Sequence, residues 1–236
     1  METQNPVYAI IVAGGQGTRM GTAIPKQFLE LNGKPVLYHT VNAFVEAISG
    51  IQIILVLPAH QISYAQMVLH SFHERIDVTI VAGGETRFQS VKNGLNAIDK
   101  KELAIAKDAI IFVQDGVRPL VGIELIKRCY EQALLNGSAI PAIPLADSVR
   151  IVTNEHSEAI DRSKLRIIQT PQTFKASILM PAMELPFRDN FTDEATVVET
   201  YGHHVHLVEG ERTNIKITTP EDLLVAEAFL KASGAA

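Results

Sequence analysis

The sequence predicts an α/β fold built on a mostly parallel β-sheet. Short apolar runs at 7–12, 51–57 and 109–113 are rich in β-branched residues, and the first of them is an unbroken hydrophobic stretch. That pattern is typical of strands buried on both faces of a parallel sheet. A glycine-rich loop and a helical pattern follow the first run, and the same order recurs after another apolar run at 78–81. Repeated strand–loop–helix units indicate α/β architecture.

The composition limits the kind of protein that the chain can be. Its 236 residues suffice for one large α/β domain or two small ones, and a hydrophobic content of 47 % supports a sizeable core. The net charge of −5 provides no general attraction to nucleic acid or to an anionic membrane. A single cysteine, Cys129, excludes an internal disulfide and fits a reducing compartment. The first apolar run is too short for a signal peptide or a membrane span, so we expect a cytoplasmic protein with no nucleic-acid or membrane partner.

The loop after the first strand has the features of a phosphate-binding site. Residues 13–21 read AGGQGTRMG, and residues 25–27 read PKQ. Glycines let a backbone approach a ligand closely, and successive N–H groups form an anion site, to which Arg19 and Lys26 add positive charge. The loop lacks the Gly-Lys-Ser/Thr ending of a P-loop, and Gly21 comes one residue too late for a dinucleotide fingerprint. A tight turn with solvated cations is the structural alternative, but the whole run favours a nucleotide triphosphate.

Turn and helix signals separate the strands in this half of the chain. Asn32-Gly33 is a hairpin-turn dipeptide. From 36 to 47 the apolar residues recur at helical spacing. In chain order, we expect helices at 36–47, 63–72 and 91–98.

A second glycine loop, AGGETRFQS at 82–90, follows the strand at 78–81. Ligands of open α/β sheets bind at the carboxyl ends of the strands, so we expect this loop to face the same ligand as the first one. Helix capping by Glu85 or Ser90 is the alternative interpretation.

The next apolar run, at 109–113, leads directly into QDGVRP at 114–119. A carboxylate after a buried strand suits a magnesium ion on a triphosphate, since Mg²⁺ prefers oxygen ligands. An ion pair between Asp115 and Arg118 that orders the loop is the alternative.

The βαβ pattern stops after a predicted helix at 124–135 and a strand at 139–143. Residues 144–172 contain β-like runs at 148–153 and 166–169 around a polar middle, with no helical pattern between them. Two short strands are rarely stable alone in water. A second copy of the chain is the economical partner for such an excursion.

Helices and short strands complete the predicted order. We expect helices at 174–183 and 195–201, the latter capped by Thr192. A strand, turn and strand at 205–208 and 214–217 precede a last helix that begins at Pro220 with Thr219 as its N-cap. His60, His70 and His73 lack companions at metal-ligand spacing, and we interpret them as surface residues; for the cluster of His203, His204 and His206 we likewise expect no metal.

Motifs along most of the chain resemble the cytidylyltransferases that act on 2-C-methyl-D-erythritol 4-phosphate; the ribitol-5-phosphate cytidylyltransferases are close relatives. The resemblance runs from residue 10 to residue 230. It implies a Rossmann-like three-layer α/β/α sandwich, a single nucleotidyltransferase domain over 1–236, and a protruding β-arm at about 144–172 that forms a homodimer. The motifs are AGGQGTRMG with PKQFL, GGETRFQS, QDGVRP, DRSKL with TPQTF, TDEA at 192–195 and NIKITTPED at 214–222.

The resemblance also implies roles for individual residues. Arg19 and Lys26 would stabilise the transition state on CTP, while Arg162, reaching into the neighbouring subunit, and Lys216 would hold the sugar phosphate. The cofactor would be Mg²⁺, held mainly by the CTP phosphates with Asp115 near it. The residues implied in nucleotide and substrate binding are Ala13, Gly14, Gly15, Gly17, Gly83, Gly84, Arg87, Ser90, Asp115, Arg118, Ser148, Thr170, Thr192 and Asp193.

This chain departs from the family pattern at a few positions. The family usually has His-Asp-Ala where Gln114 and Gly116 flank Asp115, and isoprenoid-pathway members often carry an aromatic residue where Arg166 stands. These departures keep ribitol phosphate open as the alternative substrate. A nucleotide sensor without activity would not need the intact set of cations. A nicotinamide-dependent oxidoreductase is disfavoured by the spacing of the glycines.

Overall fold

A mixed β-sheet forms the centre of the structure, a computed structural model that describes residues 5–15, 21, 24–72, 76–99 and 109–232. Its strands and two small hairpins are numbered in chain order. They are β1 (Val7–Val12), β2 (Glu30–Leu31), β3 (Lys34–Pro35), β4 (Gln52–Leu57), β5 (Val78–Ala82), β6 (Ile110–Asp115), β7 (Ser138–Pro144), β8 (Val149–Val152), β9 (Ser157–Ile160), β10 (Arg166–Ile168), β11 (Gln172–Lys175) and β12 (Leu207–Glu209).

The helices of the described residues are likewise numbered in chain order. They are α1 (Val36–Ala47), α2 (Ile62–Leu69), α3 (Arg87–Asn96), α4 (Ile123–Asn136), α5 (Ala176–Ala182), α6 (Glu194–Thr200) and α7 (Pro220–Ala232). The prediction of a helix at 36–47 is confirmed, and those at 63–72 and 91–98 are confirmed with shifted ends. None of these helices combines the length and the apolar character that crossing a bilayer requires.

The strand order of the main sheet is β10-β7-β11-β6-β1-β4-β5, with β12 also paired to β7. The pairs β6–β1, β1–β4 and β4–β5 are parallel, whereas β11 lies antiparallel between β6 and β7. Val12 lies opposite both Val56 and Asp115. The parallel strands therefore end at one edge of the sheet.

Apolar residues cover both faces of the sheet. Ala9 and Ile11 of β1 pack with helices α1 and α4, while Tyr8 and Ile10 pack with α3, α5 and α6. Successive side chains of a strand point to opposite faces, so a strand between two helix layers must be apolar throughout. The predicted three-layer α/β/α arrangement is confirmed.

Two secondary-structure predictions in the C-terminal half are wrong. The segment expected to begin a helix at 174 is strand β11, whose Phe174 is fully buried between β6 and β7; the helix begins only at Ala176. Residues 214–217 form no strand, and the N–H of Ile217 donates instead to the carbonyl oxygen of Val117 at 2.9 Å. In both places contacts with distant parts of the chain override the local pattern.

The excursion after β7 also differs from the prediction. Strand β8 pairs antiparallel with β9, which lies in the stretch that we expected to be a polar connection. The run expected as the second strand of the arm is β10, which returns to the main sheet beside β7. A hairpin exposed on both faces needs no apolar alternation, so the sequence pattern could not reveal β9.

Candidate active site

A cavity of about 630 Å³ opens at the carboxyl ends of the parallel strands. Val12 and Asp115, the last residues of β1 and β6, line it together with Gly83, which follows β5. This is the edge at which open α/β sheets bind ligands. The predicted site residues that line the cavity are Ala13, Gly14, Gly15, Lys26, Gly83, Gly84, Arg87, Ser90, Asp115 and Lys216. Gly17 and Arg19 lie outside the described residues.

Lys26 is held in the cavity wall by a short 3₁₀ helix, Lys26–Phe28. Its side chain is buried, and Nζ donates a hydrogen bond to the carbonyl oxygen of Ile217 at 3.0 Å. Gln27 fastens the same turn to the sheet, because its amide donates to the carbonyl oxygen of Ala13 at 2.9 Å. The ammonium therefore has a fixed position beside the first glycine loop.

The second glycine loop leads into α3, whose first turn faces the cavity. The capping residue is Thr86, whose hydroxyl accepts the N–H of Gln89 at 3.0 Å. The alternative interpretation, in which Glu85 or Ser90 caps this helix, does not hold, because the helix begins earlier than predicted. Ser90 lies inside it, and its hydroxyl accepts the N–H of Gly84 at 3.1 Å. A Cβ at Gly84 would collide with the side chain of Gln89, so the loop folds onto the helix only with glycine there.

Asp115 lies among the charged groups of the cavity. Nε of Arg87 is 3.5 Å from one of its oxygens, and Nε of Arg118 and Nζ of Lys216 are 3.3 Å and 3.1 Å from the other. Burial alone would raise the pKa of Asp115, but the attraction of Arg87, Lys216 and Arg118 outweighs it and lowers the pKa to about 2. The ion pair between Asp115 and Arg118 considered from the sequence is therefore present, as part of a larger cluster.

The cluster limits how this site can hold a metal ion. The described residues contain no group of three or more histidine, cysteine, aspartate or glutamate side chains that could hold one. Both oxygens of Asp115 already face cations. A divalent cation in this cavity would therefore take most of its ligands from a bound triphosphate and not from these side chains.

The segment that carries Lys216 is fastened to the sheet by Asn214. The buried side-chain amide of Asn214 donates to the carbonyl oxygen of Thr170 at 2.9 Å, and the backbone carbonyl oxygen of Asn214 accepts from Nη1 of Arg118 at 2.8 Å. The hydroxyl of Thr170 accepts the N–H of Asp115 at 3.1 Å. Thr170 thus supports Asp115 and the Lys216 segment from behind and does not line the cavity.

Comparisons with known proteins show which family the chain resembles. The family model described as 2-C-methyl-D-erythritol 4-phosphate cytidylyltransferase matches residues 7–232. A relative of that name from Bacteroides thetaiotaomicron is 45 % identical over 221 residues, which covers 94 % of this chain and 98 % of the relative. One from Bacteroides fragilis is 46 % identical over 222 residues, with 94 % and 98 % covered.

The chain belongs to the 2-C-methyl-D-erythritol 4-phosphate cytidylyltransferase family.

Solved structures support the same relationship. The 4-diphosphocytidyl-2C-methyl-D-erythritol synthase of Anaerococcus prevotii matches with a TM-score of 0.80 at 28 % identity, covering 96 % of this chain and 99 % of that one. The 2-C-methyl-D-erythritol 4-phosphate cytidylyltransferase of Francisella tularensis matches with a TM-score of 0.77 at 32 % identity, covering 94 % and 99 %. The cytidylyltransferase fold therefore extends over nearly the whole chain.

Several predicted site residues do not line the cavity of this cytidylyltransferase fold. Arg162 and Ser148 are exposed on the arm, where Nη1 of Arg162 donates to the carbonyl oxygen of Ala146. Thr192 is exposed and does not cap α6. The cap is Asp193, whose carboxylate accepts the N–H of the residue three positions on at 2.9 Å.

The departures from the cytidylyltransferase pattern lie mostly outside the cavity. Gln114 is buried and precedes Asp115 on β6, so its side chain points to the opposite face of the sheet. Arg166 is exposed on β10. Gly116 is a close-approach position, because a Cβ there would lie 2.8 Å from the Cβ of Ala13. None of the three removes a charged group from the cavity.

Sequence reasoning missed the buried polar residues behind the cytidylyltransferase site. Besides Gln27 and Asn214, these include Gln169. Its side-chain Nε2 donates to the carbonyl oxygen of Glu211 at 2.8 Å, and its Oε1 accepts the N–H of Glu211 at 3.1 Å. Glu194 pairs with a cavity residue from the far side. Three of the four lie within the recognised motifs, but only their burial in the folded chain reveals their function.

Proposed function

We propose that this chain transfers the cytidylyl group of CTP to 2-C-methyl-D-erythritol 4-phosphate, giving 4-diphosphocytidyl-2-C-methyl-D-erythritol and pyrophosphate. Its membership of the family supports this reaction. The observation that carries it is the cavity itself, in which glycine loops after β1 and β5 meet Lys26 and Lys216 around Asp115. Backbone donors and fixed cations together suit a polyanionic substrate pair.

The chemistry follows from charge. An oxygen of the sugar-alcohol phosphate attacks the α-phosphorus of CTP, and the bond from that phosphorus to the bridging oxygen of the leaving pyrophosphate breaks. The nucleophile is already ionised near neutral pH, so no general base is required. The main obstacle is repulsion between two polyanions, which positioning and positive charge overcome.

The residues take distinct positions in this scheme. The backbone of Ala13, Gly14 and Gly15 and the ammonium of Lys26 would receive the triphosphate, with Arg19 as a second cation. Gly83, Gly84, Arg87 and Ser90 lie along the second loop and would hold the cytidine part. Lys216 would hold the incoming phosphate. Mg²⁺ supplies charge neutralisation on the triphosphate when bound, near Asp115.

A homodimer is part of the proposal. The β8–β9 hairpin exposes Ile151 and Val152 at 54 % and 75 % of their surface, and a two-stranded hairpin is marginal alone. Pairing two arms would cover these side chains and would place Arg162 at the neighbouring site. The chain would act as one nucleotidyltransferase domain over 1–236, and its lone Cys129 suits the cytoplasm.

Pyrophosphate release by the purified protein tests the function. CTP and Mg²⁺ are supplied with either 2-C-methyl-D-erythritol 4-phosphate or D-ribitol 5-phosphate, with a chelator control for the metal. We expect release with the first acceptor and loss of it on chelation. Pyrophosphate release with ribitol phosphate alone would show that the proposed acceptor is wrong. No release with either acceptor, in protein that binds CTP, would show that the proposed reaction is wrong.

A further inference from the structure

Glu194, the first residue of α6, is a buried acid that the reaction scheme leaves without a role. Its side chain is only 2 % exposed, and one of its oxygens lies 2.5 Å from Nη1 of Arg87. Its second oxygen is buried and meets no hydrogen-bond partner among the described residues. Burial raises the pKa of Glu194, while the Arg87 guanidinium opposes that effect.

Stability does not explain a carboxylate in this place. Withdrawing a charge from water is expensive, and replacing a buried ion pair by uncharged groups is often neutral or stabilising. A buried oxygen without a partner adds to the penalty. Such a group calls for an explanation beyond folding, and its one described partner lines the cavity.

The geometry around Arg87 suggests what Glu194 does. The guanidinium lies between two carboxylates, but the contact with Glu194 is 2.5 Å and that with Asp115 is 3.5 Å. These ion pairs use Nη1 and Nε, and neither uses Nη2. Burial alone would lower the pKa of Arg87, but Glu194 and Asp115 outweigh it and raise the pKa, so Arg87 remains charged.

Without Glu194, Arg87 would turn fully towards Asp115. That carboxylate also receives Lys216 and Arg118. The guanidinium of Arg87 would then leave the wall formed by the second glycine loop. The charge of Glu194 opposes this collapse from outside the cavity.

We propose that Glu194 is a positioning residue that holds Arg87 in place for the nucleotide. This inference rests on the proposed function, since it assumes that the cavity receives CTP. It assigns Glu194 an effect on CTP binding and none on the acceptor phosphate. In metal sites, mutating a residue that orients a metal ligand lowers metal affinity roughly ten- to a hundredfold. Glu194 would orient Arg87 in the same way, so we expect a similar loss of CTP affinity when Glu194 is replaced.

The test compares Glu194→Gln with wild type by calorimetric titration of CTP and by steady-state kinetics. We expect the Kd and KM for CTP to rise at least about tenfold, with the KM for the acceptor unchanged. Glu184→Gln is the matched control, because it breaks an ion pair of 3.0 Å to Lys92, also on α3, outside the cavity. That control is expected to bind CTP as wild type does.

A double-mutant cycle separates positioning from a general structural effect. Arg87→Gln, which removes the charge that pairs with Glu194, should weaken CTP binding, and adding Glu194→Gln to it should cause little further loss, because the two residues act as one unit. Additive losses would overturn the inference, and so would wild-type CTP affinity in Glu194→Gln. Glu194→Asp, which keeps the charge but shortens its reach, answers the same question if the glutamine variant does not fold. Wild type that binds no CTP would instead overturn the proposed function.

Discussion

Replacing Lys26 by methionine is expected to abolish most turnover while leaving the fold intact. The ammonium is buried in the cavity wall, where Nζ is 3.0 Å from the carbonyl oxygen of Ile217. At an effective dielectric constant of 20, a charge about 4 Å from a phosphate oxygen contributes about 4 kcal/mol. Removing a preorganised transition-state donor costs about 2–4 kcal/mol, or roughly 10²–10³ in kcat. Methionine keeps the packing of the side chain, so the loss concerns charge.

Pyrophosphate release at saturating CTP and acceptor measures this effect. Lys34→Met is the matched control, because Nζ of Lys34 lies 5.0 Å from the ring centre of Tyr38 and does not line the cavity. It should retain nearly normal kcat. A Lys26→Met enzyme that keeps kcat within about threefold of wild type would refute the assigned role, because a lost transition-state charge cannot have so small an effect.

Three further predictions concern stability and assembly. The ion pairs of Asp115 lower its pKa from 3.8 to about 2, so they stabilise the fold fully above pH 4; about 2 kcal/mol is lost as the pH falls from about 4 to about 2. Urea titrations at several pH values should show that the free energy of unfolding of Asp115→Asn lacks this loss between pH 4 and pH 2. A variant whose free energy of unfolding depends on pH as that of wild type does would contradict the prediction. Gly94→Ala would place a Cβ 2.8 Å from Ile10 and 3.0 Å from Val56; a loss of about 1–3 kcal/mol in the free energy of unfolding is expected, and an unchanged melting temperature would disprove the clash. Val152→Asp should shift the proposed dimer towards monomer in light scattering and lower turnover at low protein concentration; a dimer as stable as that of wild type would exclude the arm as the interface.

Local sequence patterns predicted the secondary structure correctly where the same kind of environment surrounds a whole segment. The helix at 36–47, the strand at 7–12 and the turn at Asn32-Gly33 all form as predicted, the turn with both residues in the left-handed region. They failed at β11, where burial between two strands outweighs the helical spacing, and at β9, which is exposed and carries no apolar signal.

The site was predictable to a similar degree. Most of the glycines and cations that the recognised motifs predicted as site residues line one cavity. The sequence did not reveal the buried polar residues behind the cavity, Gln27, Asn214 and Glu194, because the sequence does not show whether a polar side chain is solvated or buried. Roles assigned to Arg19 and Arg162 stay predictions, since the first lies outside the described residues and the second needs a second subunit.

The sequence by itself determined the α/β class, the positions of the four parallel strands along the chain, the two glycine loops and the family, because these depend on short-range periodicity and on motifs contiguous in the chain. Only the tertiary structure decided that Asp115 gathers Arg87, Arg118 and Lys216, and that Glu194 supports Arg87 from behind. The physical reason is that ion pairs and burial depend on distance in space. Residues 115 and 216 meet only because the sheet edge and the segment before α7 are brought together by folding.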